Sequence, residues 1–124
     1  MYPQFLDPLD VRATEPNLWT MLASFSYRSF VKDSHVIIVK KGFVYDLASI
    51  PRLLRPIFNR NGKNRWAAVI HDWLYKHKGI VYGMTYTRKE CDRVFLEGMA
   101  VKGVSRWARY PLYWGVRVGG WVSF

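Results

Sequence analysis

His71 and Asp72 stand side by side in "RWAAVIHDWLYK" (65–76), a stretch that otherwise reads as the apolar face of a helix. Titratable groups on a core-facing segment must be paired, hydrogen-bonded or functional. Two further acids belong to the same question: Asp46, closing "HVIIVKKGFVYD", and Asp92, inside "RKECDRVFLEGM". One histidine with two or three carboxylates suits a hard or borderline divalent cation, and Asp46, His71 and Asp92 are the candidate ligands. A metal held there would lower the pKa of a bound water and supply a hydrolytic nucleophile. Without a metal, a carboxylate could orient His71 as a general base, and the catalytic set is then Asp46, His71, Asp72 and Asp92. Ser49 would complete a triad, but no nucleophile elbow surrounds it and a helix-cap role is simpler. HExxH, GxSxG and Walker A patterns are absent.

The structural alternative has more weight. Asp46 can cap the amides that follow it, Asp72 can pair with Lys76, Asp92 can pair with Arg88, and one hydrogen bond satisfies His71. Adjacent helical residues diverge by about 100°, so His71 and Asp72 cannot both face one small ion. This spacing places His71 half buried at a helix-packing seam.

The positioning elements follow from pattern. "SFSYRSF" (24–30) alternates, "KDSH" is a turn, and "HVIIVKKGFVYD" (35–46) is rich in β-branched residues, with Gly42 marking a bulge or turn. "IPRLLRPIF" (50–58) reads as a short helix. Trp66, Val69, Ile70, Trp73 and Leu74 then form an amphipathic stripe. "KHKGIVYGMTY" (76–86) reads as a loop. Thr87 and Glu90 make a capping box for a helix that Gly103 ends, and Ser105 caps a last segment that Pro111 must bend or restart. Residues 1–20, with Pro3, Pro8 and Pro16, read as an extended arm, and 21–124 as one compact domain. The fold class is α+β: a small antiparallel β-sheet over about 24–46, then three to four helices packed as a layer.

Bulk composition narrows the function. A chain of 124 residues, 50% hydrophobic and 17% aromatic, holds one real core. Nineteen Lys and Arg against nine Asp and Glu give a net charge of +10, which draws the chain to nucleic acid, anionic membranes or acidic protein surfaces. The basic residues are dispersed and no nucleic-acid motif accompanies them, so a broad contact face is favoured. The single cysteine, Cys91, excludes an internal disulfide and a Cys-rich zinc site. No run approaches the roughly 18–20 apolar residues of a membrane span. The start, "MYPQFLDPLD", does not read as a secretion signal, and a reducing cytoplasm is the simplest compartment. From Ser105 onward there is no acid, and arginines alternate with rings. Arg106, Trp107, Arg109, Arg117, Trp121 and Phe124 are the candidate partner-binding residues.

Three segments, "GFVYDLASIPRLLRPIF", "AAVIHDWLY" and "RKECDRVFLEGMAVKGVSRWARYPLYWGVRVGG", resemble a small domain family of unknown function, family thirteen fifty-three. The likeness spans roughly Val39 to Gly120. Asp46, Ser49, Pro51, His71, Asp72 and Asp92 fall on the family pattern, whereas Tyr45 replaces a usual threonine and Cys91 a usual alanine. The family occurs mostly in bacteriophage and prophage genomes, so the resemblance implies a phage origin but no particular activity. The resulting expectation is a small structural or accessory protein, held in a tail, baseplate or similar assembly through a basic aromatic surface. It would be made in the host cytoplasm and carried in the virion. Its partners would be other phage structural proteins, with an anionic cell-surface polymer or nucleic acid as further candidates. That role needs no cofactor. The alternative is a metal-assisted hydrolase of cell wall or nucleic acid, using the Asp/His/Asp cluster and a divalent metal.

Overall fold

The computed structural model describes residues 2–15, 18–46, 50–59, 62–120 and 124. Six strands come first: β1 (Gln4–Phe5), β2 (Val11–Glu15), β3 (Leu18–Met21), β4 (Phe25–Ser29), β5 (His35–Val39) and β6 (Val44–Tyr45). A 3-10 turn, Arg52–Leu54, leads into α1 (Arg55–Asn59) and then α2 (Asn64–Lys76). A hairpin, β7 (Ile80–Val81) and β8 (Met84–Thr85), precedes α3 (Arg88–Val101) and α4 (Arg106–Gly119). The strands form two three-stranded antiparallel sheets, ordered β1-β4-β5 and β2-β3-β6. The architecture is α+β, as the pattern of strands followed by helices requires.

The β4–β5 pair follows its alternation. Phe25 lies opposite Val39 and Tyr27 opposite Ile37, all on the buried face. Gly42, at φ 90°, turns the chain from β5 towards β6, and its amide reaches Met21 O at 2.8 Å. The capping box at Thr87 closes in both directions: Glu90 N–H donates to Thr87 Oγ1 at 3.1 Å, and Thr87 N–H to Glu90 Oε1 at 2.8 Å. Gly103, at φ 79°, ends α3, and the amides of Gly103 and Val104 return to Ala100 O and Met99 O, the paired bonds of a Schellman motif.

The first 20 residues differ from the expected arm, because β1, β2 and most of β3 arise there. Pro3 and Pro8 flank β1, so they punctuate strands rather than preventing them. Phe5 holds β1 down, its ring 4.4 Å from Tyr27 and 5.5 Å from Trp66 between centroids. Residues 76–86 also differ, forming the β7–β8 hairpin around Tyr82 and Gly83 at φ 49° and 77°. Both central residues take the left-handed conformation that a type I′ turn demands. The Tyr82 hydroxyl donates to Ile38 O on β5 at 2.6 Å. Pro111 does not restart α4, which runs through it. The acceptor that Pro111 leaves without an amide belongs to Trp107, a residue 91% exposed, where water can take the amide's place.

The largest departure concerns α2. Its stripe predicts one wet face, yet every residue from Ala67 to Tyr75 is buried. The helix packs against α3 and also against β5 and β6, so it is the central rod of the domain. Where α3 crosses it, Gly98 faces Ala67 so closely that an added Cβ would lie 2.9 Å from the Ala67 Cβ. Gly98→Val should therefore lower stability by about 1–3 kcal/mol, as overpacking of a close crossing does. Urea unfolding checks this, and an unchanged midpoint would contradict the crossing geometry.

Candidate functional site

Because α2 is enclosed on several sides, His71 and Asp72 are both buried while facing different neighbours. His71 points at α3 and Asp72 at the end of β6. The expected half-burial of His71 does not hold, since its side chain is 1% exposed.

On the α3 side the centre is Asp92, fully buried. His71 Nε2 lies 2.7 Å from Asp92 Oδ1, and the Tyr75 hydroxyl, one helical turn on, donates to the same oxygen. Arg117 Nη1, from α4, donates to Oδ2 at 2.8 Å, and Arg88 Nη1 stands 3.5 Å from that oxygen. Arg88 also donates to Val116 O at 3.0 Å and to Arg117 O at 2.9 Å, placing a cation at the carbonyl end of α4. The Arg88–Asp92 pairing expected from i,i+4 spacing is present, but it is one arm of a larger network.

Burial alone would raise the Asp92 pKa; hydrogen bonds from His71, Tyr75 and Arg117 outweigh it and hold the carboxyl below its usual value. Burial pushes His71 down from its ordinary value, against the pull of Asp92. With two guanidiniums already neutralising Asp92, we assign His71 as the neutral imidazole that donates through Nε2. Tyr75 is raised, first by burial and then by its bond to Asp92. Both carboxylate oxygens of Asp92 are thus occupied by donors, one of them the Arg117 guanidinium, and Arg88 adds a second cation as an ion pair.

On the β6 side, Asp72 is almost fully buried, accepts the backbone amide of Asp46, and among the described residues has no hydrogen-bond donor at its Oδ2. Burial lifts its pKa to about 7, Lys76 pulling it down and Asp46 pushing it up. Lys76 Nζ lies 3.7 Å from Asp46 Oδ2. The buried Tyr45 hydroxyl, also without a partner among the described residues, is pushed up to about 12, chiefly by burial. Chemically this corner can take up or release a proton near neutral pH.

The structure therefore brings His71 to Asp92, and Asp72 to Asp46, as two separate groups. Among the described residues, no three His, Cys, Asp or Glu side chains gather in a way that would hold a metal ion. The donor set does not suit the cation proposed from Asp46, His71 and Asp92: Asp92 has no oxygen to spare, and two arginines repel a second positive charge there. Ser49 lies outside the described residues. Cys91 is a buried core residue whose thiol burial pushes up to about 12.

The partner-binding candidates divide as well. Arg106 and Trp107 are exposed at the start of α4. Arg109 is half-buried, donating to Val104 O at 2.8 Å. Arg117 turns inward to Asp92, away from the surface assigned to it. Phe124 is half-buried, its ring edge-on to Tyr75 at 5.1 Å. Trp121 lies outside the described residues. Tyr110 and Trp114, not among those candidates, are exposed on the same face of α4 as Trp107, at the i, i+3, i+7 spacing that could have flagged them. No described helix is long and apolar enough to cross a membrane.

Two measurements follow. Asp92→Asn leaves two arginines beside a group that no longer balances them, and should cost about 3–5 kcal/mol in chemical denaturation, the scale for breaking a buried ion pair. Asp72 has the opposite sign. Its folded pKa, about 7, lies above the ordinary 3.8, so its contribution to stability is complete below pH 3.8 and is lost as pH rises through 7. Asp72→Asn should therefore raise the melting temperature more at pH 8 than at pH 5. An equal effect at both would show that Asp72 titrates normally.

No curated protein and no solved structure shows significant similarity to the chain. Residues 19–116, which carry β3 through most of α4 and both acidic groups, match the family model described as a protein of unknown function (DUF1353). The chain belongs to that family.

Proposed function

We propose that this is a small structural or accessory protein of a phage particle, docked in a tail, baseplate or similar assembly through the basic aromatic face of α4. The observation that carries this reading is the exposure of two indoles on one helix face: Trp107 is 91% and Trp114 60% exposed. With Tyr110, Pro111 and Arg106 they line a groove of about 590 Å³. Large rings left in water on a stable fold mark contact surfaces, and Trp, Tyr and Arg are the residues that dominate them. The net charge of +10, and the absence of any acid after Glu97, favour an acidic protein surface as the partner. The phage setting rests on the family resemblance.

The hydrolase reading has less support. His71 and Asp92 are closed off from solvent and saturated by their neighbours, so a substrate has no path to them. The corner of Asp46 and Asp72 keeps a proton-transfer chemistry, while the Nε2 of His71 is engaged by Asp92.

The test uses Trp107→Ala with Trp114→Ala, both on the solvent face of α4. The double variant should keep the wild-type melting temperature and lose at least about tenfold of its incorporation into purified particles, a change of roughly 1.4 kcal/mol or more. Mass spectrometry of the particles reads the stoichiometry. Incorporation at the wild-type ratio would overturn the assembly role. Arg117→Ala, by contrast, should disturb the fold itself because it takes a donor from Asp92.

A further inference from the structure

Two long stretches of the sequence carry no acid: 34–45, which holds Lys40 and Lys41, and 73–89, which holds Lys76 and Lys78. The fold brings these four lysines to one end of the domain, all of them exposed. Phe43 closes the turn that begins at Lys40, and its ring lies edge-on to Trp73 at 4.9 Å. The Trp73 ring in turn lies 4.0 Å from His77, between Lys76 and Lys78. The Tyr82 hydroxyl, bonded to Ile38 O, draws the β7–β8 hairpin against β5 just before Lys40. Lys76 pairs with Asp46 at 3.7 Å and Lys78 donates to Phe124 O, while Glu90, just past the second stretch, is held by Lys32 and by its own capping box. No acid lies outside the described residues, so none of the others can offset this charge.

The same end leaves apolar side chains in water. Ile80 is 61% and Tyr82 51% exposed, and Ile38 is exposed beside them. Lys78 and Tyr82, at φ 55° and 49°, are two of the three residues other than glycine that take the left-handed conformation among those described. Glycine would sit there without strain. The conformation is enforced: the amides of Lys78 and Gly79 return to Tyr75 O and Leu74 O, and the Tyr86 amide donates to Gly79 O at 2.7 Å. A lysine and a tyrosine thus stand on strained backbone with their side chains turned to solvent, a combination associated with function.

Lysine is a compact, strongly hydrated point charge, suited to a diffuse anionic layer, whereas planar recognition of single phosphates or carboxylates favours arginine. The apolar members are two isoleucines and one ring. They suit the boundary between lipid headgroups and acyl chains, while binding of single-stranded nucleic acid calls for a row of rings on which bases stack. We infer that this end of the domain docks on an anionic lipid surface, with Ile80 and Tyr82 entering the headgroup layer and the four lysines lying along its charge. The surface shares no residue with the α4 groove, so it does not depend on the assembly reading.

The experiment is sedimentation of the full chain with vesicles of phosphatidylcholine alone or with about one-third phosphatidylglycerol, at about 0.1 M salt. Partitioning onto the anionic vesicles should be at least about tenfold stronger, and Lys40→Gln with Lys41→Gln should remove about tenfold or more of it. Ile80→Thr and Tyr82→Gly, the latter at ease with that turn, should each weaken it by at least about threefold with the fold intact. Tyr82→Phe, which loses only the bond to Ile38, should partition like the wild type, as should Trp107→Ala with Trp114→Ala. Equal partitioning onto both vesicles, or none, would overturn the proposal, as would hairpin and lysine variants that partition normally. Loss of binding in the indole pair would overturn it too, by moving the contact to α4. A single strand of about twenty thymidines whose binding the lysine pair and Tyr82→Gly abolish, with vesicle binding intact, would give the surface to nucleic acid instead.

Discussion

An ionised carboxylate in the middle of a small domain must be surrounded by donors, and Asp92 sets this constraint on the three long helices. Its partners come from two of them: His71 and Tyr75 from α2, Arg117 from α4, with Arg88 adding a second cation from its own helix. Each donor that leaves exposes a charge with nowhere to go. The network therefore specifies how the helices sit as well as how tightly. Apolar packing between α2 and α3, close enough to require Gly98, would tolerate small slides that this charge does not.

Asp72 is the counterpart that does not balance. It is held on the same helix, one residue away, with an oxygen unsatisfied among the described residues and its pKa near 7. Asp92 is stabilised by its surroundings, whereas Asp72 is a standing cost to the fold. Groups of the first kind are structural, and groups of the second are where a fold retains chemistry at the expense of stability. The division assigns His71 to architecture and leaves the corner of β6 with whatever chemistry the acids retain.

Local chemistry was legible in the sequence. The Thr87–Glu90 box and Gly103 acted as written, because each is decided within four or five residues. The alternation of β4 and β5 was legible for the same reason. What failed to show was anything set by layering. The stripe on α2 gives no hint that a sheet edge buries its other face, so the pattern alone places His71 only half inside. Arg117 looked like a surface cation, because its partner lies 25 residues away on another helix. The strands of the first 20 residues were hidden by their prolines, which sit beside the strands. Pro111 carries its usual warning for a helix interior, yet the acceptor it strands belongs to an exposed residue.

The β7–β8 hairpin has one more effect. Because Ser26 turns its amide and carbonyl towards β1 and its neighbouring loop, its cross-strand neighbour Ile38 turns its own outward, along the border of β5 that no described strand pairs. The Tyr82 phenol, carried on a turn that a residue other than glycine rarely adopts, occupies that outward carbonyl. A foreign chain seeking to zip onto this border must first unseat the phenol. The domain thus carries its own guard against fibre-like stacking, at the place where a short open sheet is most vulnerable.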